Sequence, residues 1–221
     1  MKLDGLKAIF LGDSITEGVG ASSIDKVYWK QLAEMTGMST VGYGVGGTRI
    51  ARQEQEGYAP EWKLDFNLRA KDMDKDADIV GVFGGTNDYG HGFAPIGTAD
   101  DDTEWTFYGA LNCLFRYLIE NYPEAYIFVM TPIHRTNEDR VTGDGYKPPM
   151  LPLSGYGDII KEVACKYSLP VLDLYAESGI YPDIEVSKDA YTVDGLHPND
   201  KGYRRIATMV KNFLETHYFG K

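Results

Sequence analysis

Apolar positions along this chain fall into two alternating rhythms. Short, nearly continuous apolar runs occupy Lys7–Leu11, Ser39–Tyr43, Ile79–Gly84, Tyr126–Met130 and Val171–Leu174. They are too short for helices, rich in Val, Ile, Phe and Leu, and not strictly alternating, which predicts parallel strands covered on both faces. Between them apolar residues recur at helical spacing. Helices are predicted over Tyr28–Met35, Thr106–Tyr122, Ile159–Tyr167 and Gly202–Tyr218, the second carrying Phe107, Ala110, Leu111, Leu114, Phe115 and Leu118 on one face. Strand and helix in alternation predict one doubly wound α/β domain, a three-layer α/β/α sandwich over a five-stranded parallel sheet spanning residues 1–221. No repeat or linker divides it.

Composition narrows the class without naming a function. With 43% hydrophobic and 25% charged residues the 221-residue chain reads as a soluble globular protein. A formal charge of -11 argues against nucleic acid, whose binding needs clustered Lys and Arg, and against docking on anionic membranes. No apolar stretch approaches the ~20 residues that span a bilayer. The N-terminus lacks the pattern of a secretory leader, so a cytoplasmic protein is expected. Cys113 and Cys165 belong to no Cys-x-x-Cys pair and are expected to be buried free thiols rather than metal or redox groups. The sequence is compatible with a homo-oligomer and does not specify one.

Four short segments change the picture. Gly12-Asp13-Ser14 ends the first strand. Val41 to Thr48 brings the glycine-rich Gly42-Tyr43-Gly44-Val45-Gly46-Gly47, Gly84 to Asp88 brings Asn87, and Asp194-Gly195-Leu196-His197-Pro198 precedes the last helix. In a parallel sheet the carboxyl ends of the strands share one rim, where ligands bind. The first three segments therefore converge, and the fourth joins them if its loop crosses that rim. Together they offer what acyl transfer needs. Ser14 is a candidate nucleophile, and His197 a candidate base that titrates near neutrality. Asp194, three residues earlier, could hold the other ring nitrogen. The N–H groups of Ser14 and Gly47 and the side-chain amide of Asn87 could receive a developing oxyanion. Pro198 suits the first turn of the last helix. Taken singly, each segment is ordinary turn or cap chemistry.

Taken jointly and in this order, they resemble the sequence blocks of the SGNH (GDSL-like) hydrolase superfamily. The resemblance runs from Gly12 to the last helix. It implies a flavodoxin-like fold, Ser14 as nucleophile, Gly47 and Asn87 as oxyanion donors, and Asp194 and His197 completing the triad. Asp13 matches the block in a structural role. Ile15 replaces the leucine of the family name, and Gly42 stands where many members carry asparagine, leaving Gly46 as the alternative donor. The lipase elbow Gly-x-Ser-x-Gly is absent.

The resulting expectation is a serine esterase for a small-molecule or carbohydrate ester, with a short acyl group such as acetyl and no metal or cofactor. A lysophospholipase or thioesterase of the same superfamily is the alternative. A flavodoxin-like binder of phosphate or flavin, with no catalysis, is a more distant one. Activity is expected to fall below about pH 6 as the histidine protonates. Two long connections, Tyr89–Trp105 with Asp100-Asp101-Asp102 and Ile133–Gly157, are expected over the same rim. His91 and His134 read as substrate-loop residues, and His217 as a surface residue. Trp62, Trp105, Tyr89 and Tyr108 are either an aromatic platform for substrate or core.

Overall fold

The computed structural model describes residues 3–54, 63–145, 148 and 150–219. Five strands, β1 (Lys7–Gly12), β2 (Ser39–Gly44), β3 (Ile79–Phe83), β4 (Tyr126–Met130) and β5 (Val171–Leu172), form one parallel sheet in the order β2-β1-β3-β4-β5. That is the flavodoxin-like doubly wound order.

Side chains of successive strand residues point to opposite faces. Ile9, Leu11, Val80, Val82, Ile127 and Val129 join one buried cluster with α5 (Phe107–Asn121) and α6 (Leu153–Lys166). Ala8, Phe10, Phe83, Phe128 and Met130 join the other with α2 (Tyr28–Thr36) and α9 (Asp200–His217). Helix α9 shows why the sequence rhythm works: Tyr203, Ile206, Ala207, Val210 and Leu214 are all fully buried and follow the i, i+3, i+4, i+7 spacing of one helical face. It is also tied to the first turns of the chain. Tyr203 donates from its hydroxyl to the Val19 carbonyl at 2.7 Å, and Asp200 accepts from the Ser22 hydroxyl at 2.7 Å.

Three expectations need correction. Helix α6 starts at Leu153, not Ile159, because Leu153 and Tyr156 are buried at helical spacing and override the poor helix propensity of Gly155 and Gly157. The second long connection therefore ends at Pro152. Strand β5 stops after two residues, because the Asp173 carboxylate accepts the Ala176 N–H at 3.1 Å and caps α7 (Leu174–Glu177). Pro198 lies outside α9. The Asn199 side chain accepts from the N–H groups of Lys201 and Gly202 at 3.0 and 3.1 Å, so the helix begins at Asp200, and Pro198 pairs with Thr192 in an antiparallel bridge. Short helices α1 (Ser14–Glu17), α3 (Phe66–Arg69), α4 (Thr86–Gly90) and α8 (Glu185–Tyr191) carry too few periods for the sequence pattern to reveal.

Candidate active site

Ser14 stands where β1 turns into α1. Asp13 caps that helix by accepting the Ile15 N–H at 3.0 Å, so Ser14 is its first residue and its N–H has no partner within the helix. The turn is braced from beneath, where the Trp29 indole N–H donates to the Thr16 carbonyl at 2.9 Å. The same indole explains Gly42, since a Cβ there would lie 2.4 Å from the ring. An asparagine in this place would collide with it.

The Asp194–His197 loop crosses the rim and meets this turn. Asp194 Oδ1 accepts the Leu196 and His197 N–H groups at 2.9 and 2.7 Å, and its Oδ2 lies 2.7 Å from His197 Nδ1. A carboxylate only accepts, so the ring proton sits on Nδ1 and Nε2 is free to accept. Nε2 does so from Ser14 Oγ at 3.0 Å. The second long connection buttresses the loop, the Thr136 N–H donating to the Gly195 carbonyl at 2.9 Å. Partial burial pushes the Asp194 carboxyl up, but the hydrogen bonds from the His197 ring and the two N–H groups outweigh it and hold it below the usual range.

The opposite wall is built from the turn after β2. Gly46 stands against Ser14, a Cβ built on it lying 3.6 Å from the serine Cβ. Its N–H donates to Glu17 Oε2 at 2.8 Å. Gly47 has φ +74, a left-handed conformation that favours glycine, and among the described residues its N–H donates to no group. Asn87 reaches the same turn from α4, donating from Nδ2 to the Thr48 carbonyl at 3.0 Å. Its neighbour Asp88 accepts the N–H groups of Ile50 and Ala51, both at 2.9 Å, and so clamps α4 to the segment leaving the turn.

Arg69 ties these pieces together. This buried side chain donates to the Gly12 carbonyl at 2.9 Å, to Thr48 Oγ1 at 2.8 Å and to the Tyr43 carbonyl. Burial lowers its guanidinium to about 10 against the opposing pull of Asp13, Glu17 and Asp65. Burial likewise raises the Asp13 carboxyl to about 6, although the Ile15 N–H and the nearby His197 and Arg69 favour its charge.

Sequence reading missed three of these residues. Arg69 carried no signal, being a single arginine outside every motif. Glu17 lay three residues beyond Ser14 and Asp88 within its segment, but their partners lie across the fold.

The remaining candidates divide. His134 lies 2.6 Å from Glu138 through Nδ1 and stacks on Tyr175 at 3.8 Å between ring centroids. His91 contacts Arg49 and Asn87. His217 is exposed at the end of α9. Tyr89 is fully buried and belongs to the core, Trp105 is exposed, and the Tyr108 hydroxyl donates to Glu162 at 2.6 Å. Trp62 and Pro149 lie outside the described residues. Neither cysteine is buried as expected: Cys113 is half-buried and Cys165 is exposed, turned away from the Val163–Ala164 face of α6. Among the described residues no helix is long and apolar enough to cross a membrane.

The GDSL-like lipase/acylhydrolase family matches residues 10–205, and the chain belongs to that family within the SGNH hydrolase superfamily. A protein from Lactobacillus plantarum, 30% identical in sequence, has a similar structure with a TM-score of 0.82, covering 98% of this chain and 99% of that one. An acetyl xylan esterase shares the fold at 22% identity and a TM-score of 0.65, covering 95% and 100% of the two chains. A two-domain esterase active on acetylated mannans shares it at 20% identity and a TM-score of 0.61, covering 99% of this chain and 50% of its own. No curated protein matches the chain significantly.

Proposed function

We propose that this chain is a serine esterase that removes a short acyl group, such as acetyl, from a carbohydrate or other polar alcohol. The observation that carries the reading is the continuous chain from Ser14 Oγ to His197 Nε2 and from His197 Nδ1 to Asp194, at 3.0 and 2.7 Å. Ser14 attacks the ester carbonyl while His197 takes its proton, and Asp194 holds the tautomer and stabilises the imidazolium. His197 returns the proton to the departing alcohol. A water molecule then repeats the sequence on the acyl-serine.

The oxyanion is received by the N–H groups of Ser14 and Gly47 and by Asn87 Nδ2. Gly47 is favoured over Gly46 because the Gly46 N–H is already engaged by Glu17. Asn87 keeps a second Nδ2 hydrogen beyond the one given to Thr48. The choice of acetyl and sugar leans on the esterases of similar fold that act on acetylated polysaccharides.

Two assays test the proposal. Hydrolysis of nitrophenyl acetate should fall by about 10⁴-fold or more in Ser14→Ala, and undiminished turnover would end the assignment. A series of nitrophenyl esters from two to twelve carbons, beside acetylated xylan oligosaccharides, should peak at the short end. A maximum at long acyl chains would favour a lysophospholipase-like or thioesterase-like enzyme.

A further inference from the structure

Asn87 is held from two sides, and the second side bears on catalysis. His91, the residue that ends α4, follows it by four positions, the spacing that brings side chains to one face, and its N–H donates to the Asn87 carbonyl at 3.1 Å. His91 Nε2 lies 3.3 Å from Asn87 Oδ1, and its Nδ1 lies 3.1 Å from Nη1 of Arg49, a buried residue just beyond the Gly46–Thr48 turn.

The protons in this chain are determined by elimination. A guanidinium has donors and no acceptor, so His91 Nδ1 must accept from Arg49. A neutral imidazole with Nδ1 accepting carries its hydrogen on Nε2. That hydrogen is donated to Asn87, and the asparagine must offer oxygen there rather than nitrogen. The Asn87 amide is thereby fixed with Nδ2 toward the Thr48 carbonyl. Were it flipped, two carbonyl oxygens would face each other at Thr48 and the oxyanion would lose its donor.

We propose that His91 is a positioning residue for the oxyanion donor, with Arg49 selecting its tautomer, and the inference rests on the reading of Asn87 given above. The run Arg49 to His91 to Asn87 is a row of donors all pointing the same way, starting from a cation. Each bond polarises the next, so the Asn87 N–H reaches the oxyanion as a stronger donor than an isolated amide. The benefit exists only when negative charge develops, and it should appear in kcat rather than in KM.

The test is a double-mutant cycle on nitrophenyl acetate hydrolysis, with thermal unfolding to verify that each variant folds. Asn87→Ala should lose about 10²–10³-fold in kcat. His91→Ala should lose about 10-fold with KM changed less than about two-fold. His91→Gln, whose amide nitrogen can stand near the place of Nε2, should recover most of that loss. In the Asn87→Ala background His91→Ala should cost nothing further, because the group it orients is gone. In the unmutated protein, ¹⁵N-edited NMR should find neutral His91 protonated on Nε2.

A proton on Nδ1, an unimpaired His91→Ala, a Gln variant as slow as the Ala variant, or a further tenfold loss in the Asn87→Ala background would each overturn the inference. Full activity in Asn87→Ala would overturn the oxyanion reading and this inference with it. A full Asn87→Ala loss beside an unimpaired His91→Ala would sink the inference alone.

Discussion

The two sides of the Ser14 hydroxyl are built in opposite ways. On one side, Asp194 and His197 are held by bonds within four residues of sequence, and the Asp194 side chain is 49% exposed. On the other, Gly47 and Asn87 are held by buried groups drawn from distant parts of the chain, among them Arg69 from α3 and the Asp88 clamp on α4. The first side is a local device laid on the surface. The second is part of the interior, and cannot be altered without disturbing the ends of β1 and β2. The difference suits the roles proposed above: a proton shuttle needs access and modest freedom, whereas donors aimed at a developing charge must not reorganise as it forms.

This contrast can be broken most decisively at its extremes. Removing the buried brace should act on folding. Arg69→Met removes the guanidinium's hydrogen bonds to the Gly12 and Tyr43 carbonyls and one of the charges that compensate Asp13, and should cost about 3 kcal/mol, a drop of about 10 °C in Tm. A loss below about 1 kcal/mol would mean that the interior side is as tolerant as the exposed one. Removing the exposed acid should act on chemistry alone. Asp194→Ala is expected to lower kcat by about 10²–10⁴-fold with Tm shifted by no more than about 2 °C. Destabilisation comparable to Arg69→Met would erase the distinction.

Between them lies Gly47→Ala, which forces a side chain into φ +74 at the turn proposed to receive the oxyanion. It should cost about 1 kcal/mol of stability and lower kcat more than KM rises. Unchanged kinetics would shift the donor role to another N–H.

The mildest test concerns pH. Because the Asp13 carboxyl is raised from 3.8 to about 6 in the fold, the native state binds that proton more tightly than the unfolded chain. Its contribution to stability is full below about pH 4 and is lost as pH rises through about 6. Asparagine can still accept from the Ile15 N–H, so the Tm of Asp13→Asn relative to the unmutated protein should climb from pH 4 to pH 7. Parallel Tm curves would refute the assignment.

The same contrast decides what could be read from sequence. Asp194, Gly195 and His197 announce themselves because their bonds are local, and Ser14 because it follows a short buried strand. The first three segments fell on strand ends as expected, since a parallel sheet brings those ends together whatever the details, and the fourth reached the same rim through the loop between α8 and α9. Arg69 was invisible because a lone arginine leaves no periodic or motif signal and acquires meaning only through carbonyls 26 and 57 positions away. Helix α6 was misplaced for a related reason. Local glycine propensity pointed one way and burial of Leu153 and Tyr156 pointed the other.

The tie between α9 and the first turns of the chain has a bearing on biogenesis. In the proposed mechanism the hydroxyl to be activated is synthesised 183 positions before the imidazole that activates it. A nascent chain holding the whole central sheet but not yet the Asp194–His197 loop would have no base for Ser14 under that mechanism. On the proposed function, ester turnover would report that the Asp194–His197 loop has been made and has docked on the first turn, a built-in readout for following maturation in real time.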